Sequence, residues 1–166
     1  ALRSREDIFD IYIQPISWGK TGWIWNNSEF RNWMDERITQ TQILLQQKQL
    51  QPDVSLQITI PNEFEEMATV NVGYTAGIES TACSAQWLEI ANKVVNNIIV
   101  VSSFSEKAFR ETVYTGEVNG QPVQLKLEKP IDHVNYAVKD YENVELLDLP
   151  LDYDVNFVSN NIDNTK

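Results

Sequence analysis

A chain of 166 residues, 42% of them apolar and 22% charged, is long enough to close one core and too apolar to be disordered throughout. A net charge of -11, with seven acidic residues and one basic between 140 and 166, excludes nucleic-acid binding through a broad basic face, but not one phosphate held by backbone N–H groups. One cysteine, Cys83, excludes an internal disulfide framework; with no apolar run near the ~18 residues of a membrane helix and no signal-peptide pattern, the expected compartment is cytoplasmic.

Ala1 to Arg5 carry no cap or turn signal and read as the last turn of a helix begun earlier, so the chain is expected to be an internal piece of a longer one. Residues 9–16 are strand-like and run into Ser17 to Trp25, a loop with two glycines and three tryptophans. Asn27 or Ser28 caps a helix to about Gln49, with Phe30, Trp33, Met34, Ile38, Thr41 and Leu45 at three- and four-residue intervals. Pro52 and Asp53 end it. Residues 54–60 alternate apolar with polar as in a strand wet on one face, Pro61-Asn62 closes it, and 64–67 read as one helical turn.

A strand at 70–74 leads to the turn Thr75-Ala76-Gly77-Ile78-Glu79-Ser80-Thr81, and Ser84 can cap a helix carrying Trp87, Leu88 and Ala91 on one side. The strand at 98–101 is followed by Ser102 and Ser103. Ser103 with Glu106 forms a capping-box pattern, opening a helix whose Ala108, Phe109, Thr112 and Val113 share a face. Val118-Asn119-Gly120-Gln121 signals a two-residue hairpin, with Val123, Leu125 and Leu127 alternating behind it. Pro130 breaks that strand, and residues 133–138 read as another. Beyond 139 the leucines lie among acids without a period, and 160–166 are expected to be disordered. Alternation of strands and helices predicts an α/β fold, Rossmann-like, with a largely parallel sheet and helices on both faces, over 1–138, followed by an acidic linker or tail over 139–166.

If the strands are parallel, the loops 17–25, 61–62, 75–81 and 102–103 gather along one sheet edge, where ligands of such folds sit. Thr75, Gly77 and Ser80 offer small and hydroxylated groups there. Glu79 could accept hydrogen bonds from a sugar hydroxyl or act as a base; equally, Gly77 could merely make the turn and Glu79 complement a helix N-terminus. Trp18, beside Gly19, and Trp23, beside Gly22, are able to stack on a sugar or to close a core, whereas Trp25 reads as packing. His133 is the only histidine, so no multi-histidine metal site exists, and it is expected to be structural or superficial, away from the four loops. Cys83 reads as a small buried hydrophobe. There is no Walker loop, no G-x-G-x-x-G and no G-x-S-x-G.

The stretches PISWGKTGWIW, DVSLQITIPNEFE, NVGYTAGIESTACSAQWLE and NNIIVVSSFSEKAFRETVY, in this order and spacing, resemble the N-terminal half of GT-B-fold glycosyltransferases of the "glycosyl transferases group 1" type found in bacteria and phages. The resemblance spans about residues 1–138 and is most specific over 57–114. It implies an incomplete GT-B fold, an acceptor-side domain facing a donor-binding C-terminal domain, and transfer of a sugar from a nucleotide-sugar donor to an acceptor without a metal. By position it places the turn 73–79 in the cleft and makes Ser102-Ser103 the family's serine-bearing turn. Trp18, Gly19, Trp23, Asn62, Thr75, Gly77, Ser80, Ser102 and Ser103 are then the expected substrate-binding residues, with Glu79 the catalytic candidate. The family's first strand with its glycine-rich loop, and its donor-binding domain, have no counterpart in the sequence, so the chain alone is expected to be inactive. The rival expectation is a non-catalytic α/β module that binds a glycan or a protein partner.

Overall fold

The structure, a computed structural model, describes residues 2–16, 26–77 and 80–136. The chain divides into Ala1–Asn135 and Tyr136–Lys166, and of the second only Tyr136 is described. The Trp loop, Glu79 and the tail predicted beyond 139 therefore lie outside the described residues.

Leu2–Arg5 is a turn of 3-10 helix. The strand expected at 9–16 does not form: the segment joins no sheet, and the Ile13 N–H donates to Thr41 Oγ1 (2.9 Å) on the first α-helix. That helix, α1 (Glu29–Gln46), is capped by Ser28, whose hydroxyl accepts from Arg31 N. It ends three residues before the expected Gln49, with Lys48 in the left-handed region (φ 55). Gln49 N–H bonds Leu44 O and Lys48 N–H bonds Leu45 O, the Schellman arrangement, so a lysine holds the place glycine usually takes. Of the predicted apolar stripe only Thr41 is buried; Phe30 and Leu45 are exposed.

The strands β1 (Val54–Ile58), β2 (Val70–Thr75) and β3 (Asn97–Val100) follow in turn, with α2 (Ala85–Val94) between β2 and β3 and α3 (Ser103–Glu111) after β3. An antiparallel hairpin of β4 (Val113–Val118) and β5 (Gln121–Lys126) precedes β6 (Ile131–His133). The four-stranded sheet runs β1-β2-β3-β6, parallel at every step, and β4-β5 forms a separate ladder. The hairpin turn is as predicted: Asn119 (φ 53) and Gly120 (φ 78) both lie in the left-handed region that a type I′ turn demands. The last strand starts two residues before the predicted 133. Likewise α3 stops at Glu111, so Val113, expected on its buried face, opens β4 instead.

Both connecting helices lie on one face of the sheet, not one on each. The strands follow in sequential order, so each right-handed crossover returns its helix to the same side. On that inner face Ile98, Val100 and Ile131 cluster with Leu88 and Ala91 of α2 and Phe109 of α3, all essentially inaccessible. Gly73 stands beside Ile98 on the next strand, and Phe64 packs over it: a Cβ on Gly73 would overlap Cε2 and Cζ of that ring. The helical turn predicted at 64–67 falls instead at Pro61–Glu63, which frees Phe64 to reach the sheet. Trp87 stacks on Phe109 (centroids 6.1 Å, 17°) and extends this core. From the hairpin side, Leu125 and Leu127 pack against it, and Asn92 of α2 holds the chain after β5, donating to Lys126 O and accepting from Glu128 N.

The alternation in β1 is real, but the wet and dry faces are exchanged. Gln57 and Thr59 point inward and are buried, while Leu56 and Ile58 point outward at 49% and 64% exposure. Hydrogen bonds make this tolerable. Gln57 donates to Glu65 O (2.6 Å) and accepts from Glu65 N (2.8 Å), Thr59 Oγ1 bonds the Glu63 carboxylate, and Ser55 Oγ donates to Asn71 Oδ1. Asn71 in turn accepts from Met67 N and Ala68 N and donates to Ala68 O. The connection from β1 to β2 thus lies over the inner face as a polar lattice where a crossover helix would otherwise stand.

Candidate functional site

All four parallel strands end at the same edge, and three of the loops expected to converge leave from it. The turn after β3 is the best defined. Ser102 is the N-cap of α3: its hydroxyl accepts from Ser105 N (3.1 Å) and lies 3.1 Å from Ser105 Oγ. The capping pair is therefore Ser102 with Ser105, one residue earlier than the expected Ser103 with Glu106. Ser103 occupies the first helical position and is exposed.

The turn after β2 leans on that helix start. Gly77 has φ +92, and a Cβ there would come within 2.7 Å of Ser105 Cβ and overlap its hydroxyl, so only glycine allows the approach. Thr75, at the end of β2, is buried on the inner face. Ser80 is exposed, its hydroxyl donating to Ala82 O (2.7 Å). After β1, Asn62 accepts from Trp87 Nε1 (3.0 Å), so its carbonyl oxygen is engaged with α2. Trp18, Gly19, Trp23 and Glu79 lie outside the described residues.

The edge also holds a group that sequence reasoning set aside. The expectation that His133 lies away from the loops is corrected by the pairing of β6 with β3, which puts His133 beside Val100 and in the same cross-strand row as Thr75. Its Nδ1 lies 2.6 Å from Glu106 Oε2 in the first turn of α3. The other carboxylate oxygen of Glu106 accepts from Arg110 Nε (2.7 Å), and Arg110 Nη2 donates to Ile131 O (2.6 Å) on the strand that carries the histidine. Hydrogen bonds from His133 and then Arg110 hold the Glu106 carboxyl below its usual value. The available signal was the i, i+4 spacing of Glu106 and Arg110; the partnership with His133 depends on β6 adding next to β3, which spacing along the chain does not encode.

Cys83 is buried, and burial pushes its thiol above the usual value. Its backbone is clamped on both sides, N–H to Thr112 Oγ1 and C=O from Tyr114 OH, as befits a packing residue. Two open depressions, of about 630 and 650 Å³, run along α1 and involve none of the carboxyl-edge residues. Among the described residues no three His, Cys, Asp or Glu side chains cluster as metal ligands would, and no helix is long and apolar enough to cross a membrane.

The edge therefore combines a glycine turn, a helix N-terminus with its serine cap, and a histidine–carboxylate pair. Chemically it can donate backbone N–H groups, offer the Ser103 hydroxyl, and accept through an imidazole nitrogen. No protein-family model matches the chain, and no curated protein or solved structure matches it either.

Proposed function

We propose that the chain is the acceptor-side domain of a GT-B-type glycosyltransferase, contributing the carboxyl edge of its sheet to a cleft completed by a donor-binding domain. The observation that carries this reading is the parallel order β1-β2-β3-β6, which delivers Gly77, Ser102, Ser103 and His133 to one edge. Such an edge suits a polyhydroxylated ligand: among the described residues it presents the Ser103 hydroxyl and the His133 imidazole beside the Glu106–Arg110 pair. The resemblance of 57–114 to the group 1 glycosyltransferases supplies the reaction class, with a nucleotide sugar as donor and a sugar acceptor. Trp18 and Trp23 are assigned to stacking, and Glu79 to a polar contact or base, on the same ground.

The test joins the chain to a donor-binding domain in one polypeptide and measures sugar release from a panel of nucleotide sugars. Turnover with one donor is expected; no binding and no turnover with any of them would remove the reading.

A second reading, a non-catalytic module for a glycan or protein partner, is favoured by one observation: Asn62, Ser80 and Ser102 all spend hydrogen-bonding capacity inside the fold. Calorimetry of the isolated chain with oligosaccharides separates the two, since this module binds without turnover. Affinity unchanged by Trp23→Ala counts against stacking in either case.

A further inference from the structure

The Arg110–Glu106–His133 chain fixes more than a side-chain position. A carboxylate can only accept, and both Glu106 oxygens are engaged, one by Arg110 Nε and one by His133 Nδ1. The Nδ1 atom must then carry the proton, which leaves Nε2 of the neutral ring as a bare lone pair. Arg110 is itself tied to Ile131 O, two residues before the histidine, so the carboxylate cannot turn without breaking contact with the strand it orients. The imidazole is 41% exposed, and its Nε2 has no partner among the described residues. Its cross-strand row, through Val100 and Thr75, ends at the edge where the loops converge.

The geometry points to His133 Nε2 as the hydrogen-bond acceptor for a hydroxyl of a neutral polyhydroxylated ligand at the carboxyl edge, with Glu106 and Arg110 as positioning residues. This rests on the glycan-binding reading for the ligand's identity, but not for the state of the ring. A preset acceptor discriminates strongly, because a ligand lacking the hydroxyl leaves the lone pair desolvated and unpaired.

The chain has a single histidine, so the ring can be observed without assignment ambiguity. Nitrogen-15 NMR of the imidazole at alkaline pH should show the Nδ1–H tautomer in the wild type and a mixture of tautomers in Glu106→Gln. Titration with a panel of neutral oligosaccharides should move the Nε2 resonance of the wild type, and His133→Phe should weaken the same oligosaccharide about tenfold. An Nε2–H tautomer in the wild type overturns the proposal. So does a sugar that shifts the Gly77 and Ser103 amides yet leaves the ring resonance and the His133→Phe affinity unchanged, a result that leaves the glycan reading intact. Failure of every sugar to bind defeats the glycan reading and with it the ligand assigned to Nε2, while the tautomer measurement still decides whether Glu106 sets the ring.

Discussion

Two glycines and one carboxylate show how single residues set the edge. Gly77 and Gly73 are both irreplaceable neighbours of a packed side chain, yet for different reasons. At Gly77 a side chain meets both a positive φ and the start of α3, so Gly77→Ala should lose about 2 kcal/mol or more and disturb the Ser102 cap with it. At Gly73 the backbone is ordinary and the obstacle is the Phe64 ring alone, so Gly73→Ala should cost about 1–3 kcal/mol, as overpacking does, and leave α3 untouched. Urea unfolding gives the size, and the amide shifts of 102–105 tell the two apart. Glu106 adds a pH dependence with a definite sign. Its folded carboxyl titrates below its unfolded value, so the stability it contributes is present above the unfolded value and disappears as pH falls through the folded one. The wild type should therefore be more stable than Glu106→Gln near neutral pH, and the gap between their unfolding midpoints should close through the acidic carboxylate range. A gap that stays constant as pH falls through that range would contradict the hydrogen bonds from His133 and Arg110.

At the scale of elements, what could be read from sequence followed local chemistry. The helix start at Asn27 or Ser28, the Asn119-Gly120 turn and the strands expected at 54–60, 70–74 and 98–101 are legible to within one or two residues, because each depends on a few adjacent residues. Elements whose form is decided by distant partners are not. Residues 9–16 have strand composition, but Ile13 finds Thr41 on α1 instead of a ladder. The capping box at Ser103 lost to Ser102 because Glu106 is drawn to Arg110 and His133. The end of α1 was misplaced for a third reason, since its Schellman motif uses Lys48 at φ 55 where only glycine or asparagine would have advertised it. That residue offers a direct check. Lys48→Gly removes the cost of a left-handed β-carbon, about 1–2 kcal/mol, and adds back about 0.4–1 kcal/mol of unfolded-state entropy. The variant should be stabilised by up to about 1.6 kcal/mol, visible as slower amide exchange over 47–49. Faster exchange there would mean that the lysine side chain contributes to the cap.

For the whole unit the decisive fact is that α2 and α3 share one face of the sheet, which is why hydrophobic pattern and burial disagree in β1. Binary patterning would bury Val54, Leu56 and Ile58 and expose Ser55, Gln57 and Thr59. The connection 59–69 overrides it: with no helix to supply apolar packing over the inner face at β1, that face is covered by backbone, and backbone N–H and C=O groups require polar partners. Gln57 is the centre of this lattice, serving both the N–H and the C=O of Glu65. Two substitutions that patterning would rank one way should therefore rank the other. Gln57→Leu adds apolar character to a buried site but leaves Glu65 without either partner, at a cost of about 1–3 kcal/mol. Ile58→Thr removes a large aliphatic group from a strand, yet at 64% exposure it should change stability by no more than about 0.5 kcal/mol. Paired urea titrations of the two variants decide the matter. If Ile58→Thr proves the costlier, the outer face of β1 is covered in solution and the strand's polarity is not inverted after all. If Gln57→Leu does, the sheet edge at Pro61-Asn62 is held in place by hydrogen bonds rather than by apolar packing, and the position of Asn62 beside Trp87 depends on a lattice that a hydrophobic profile cannot reveal.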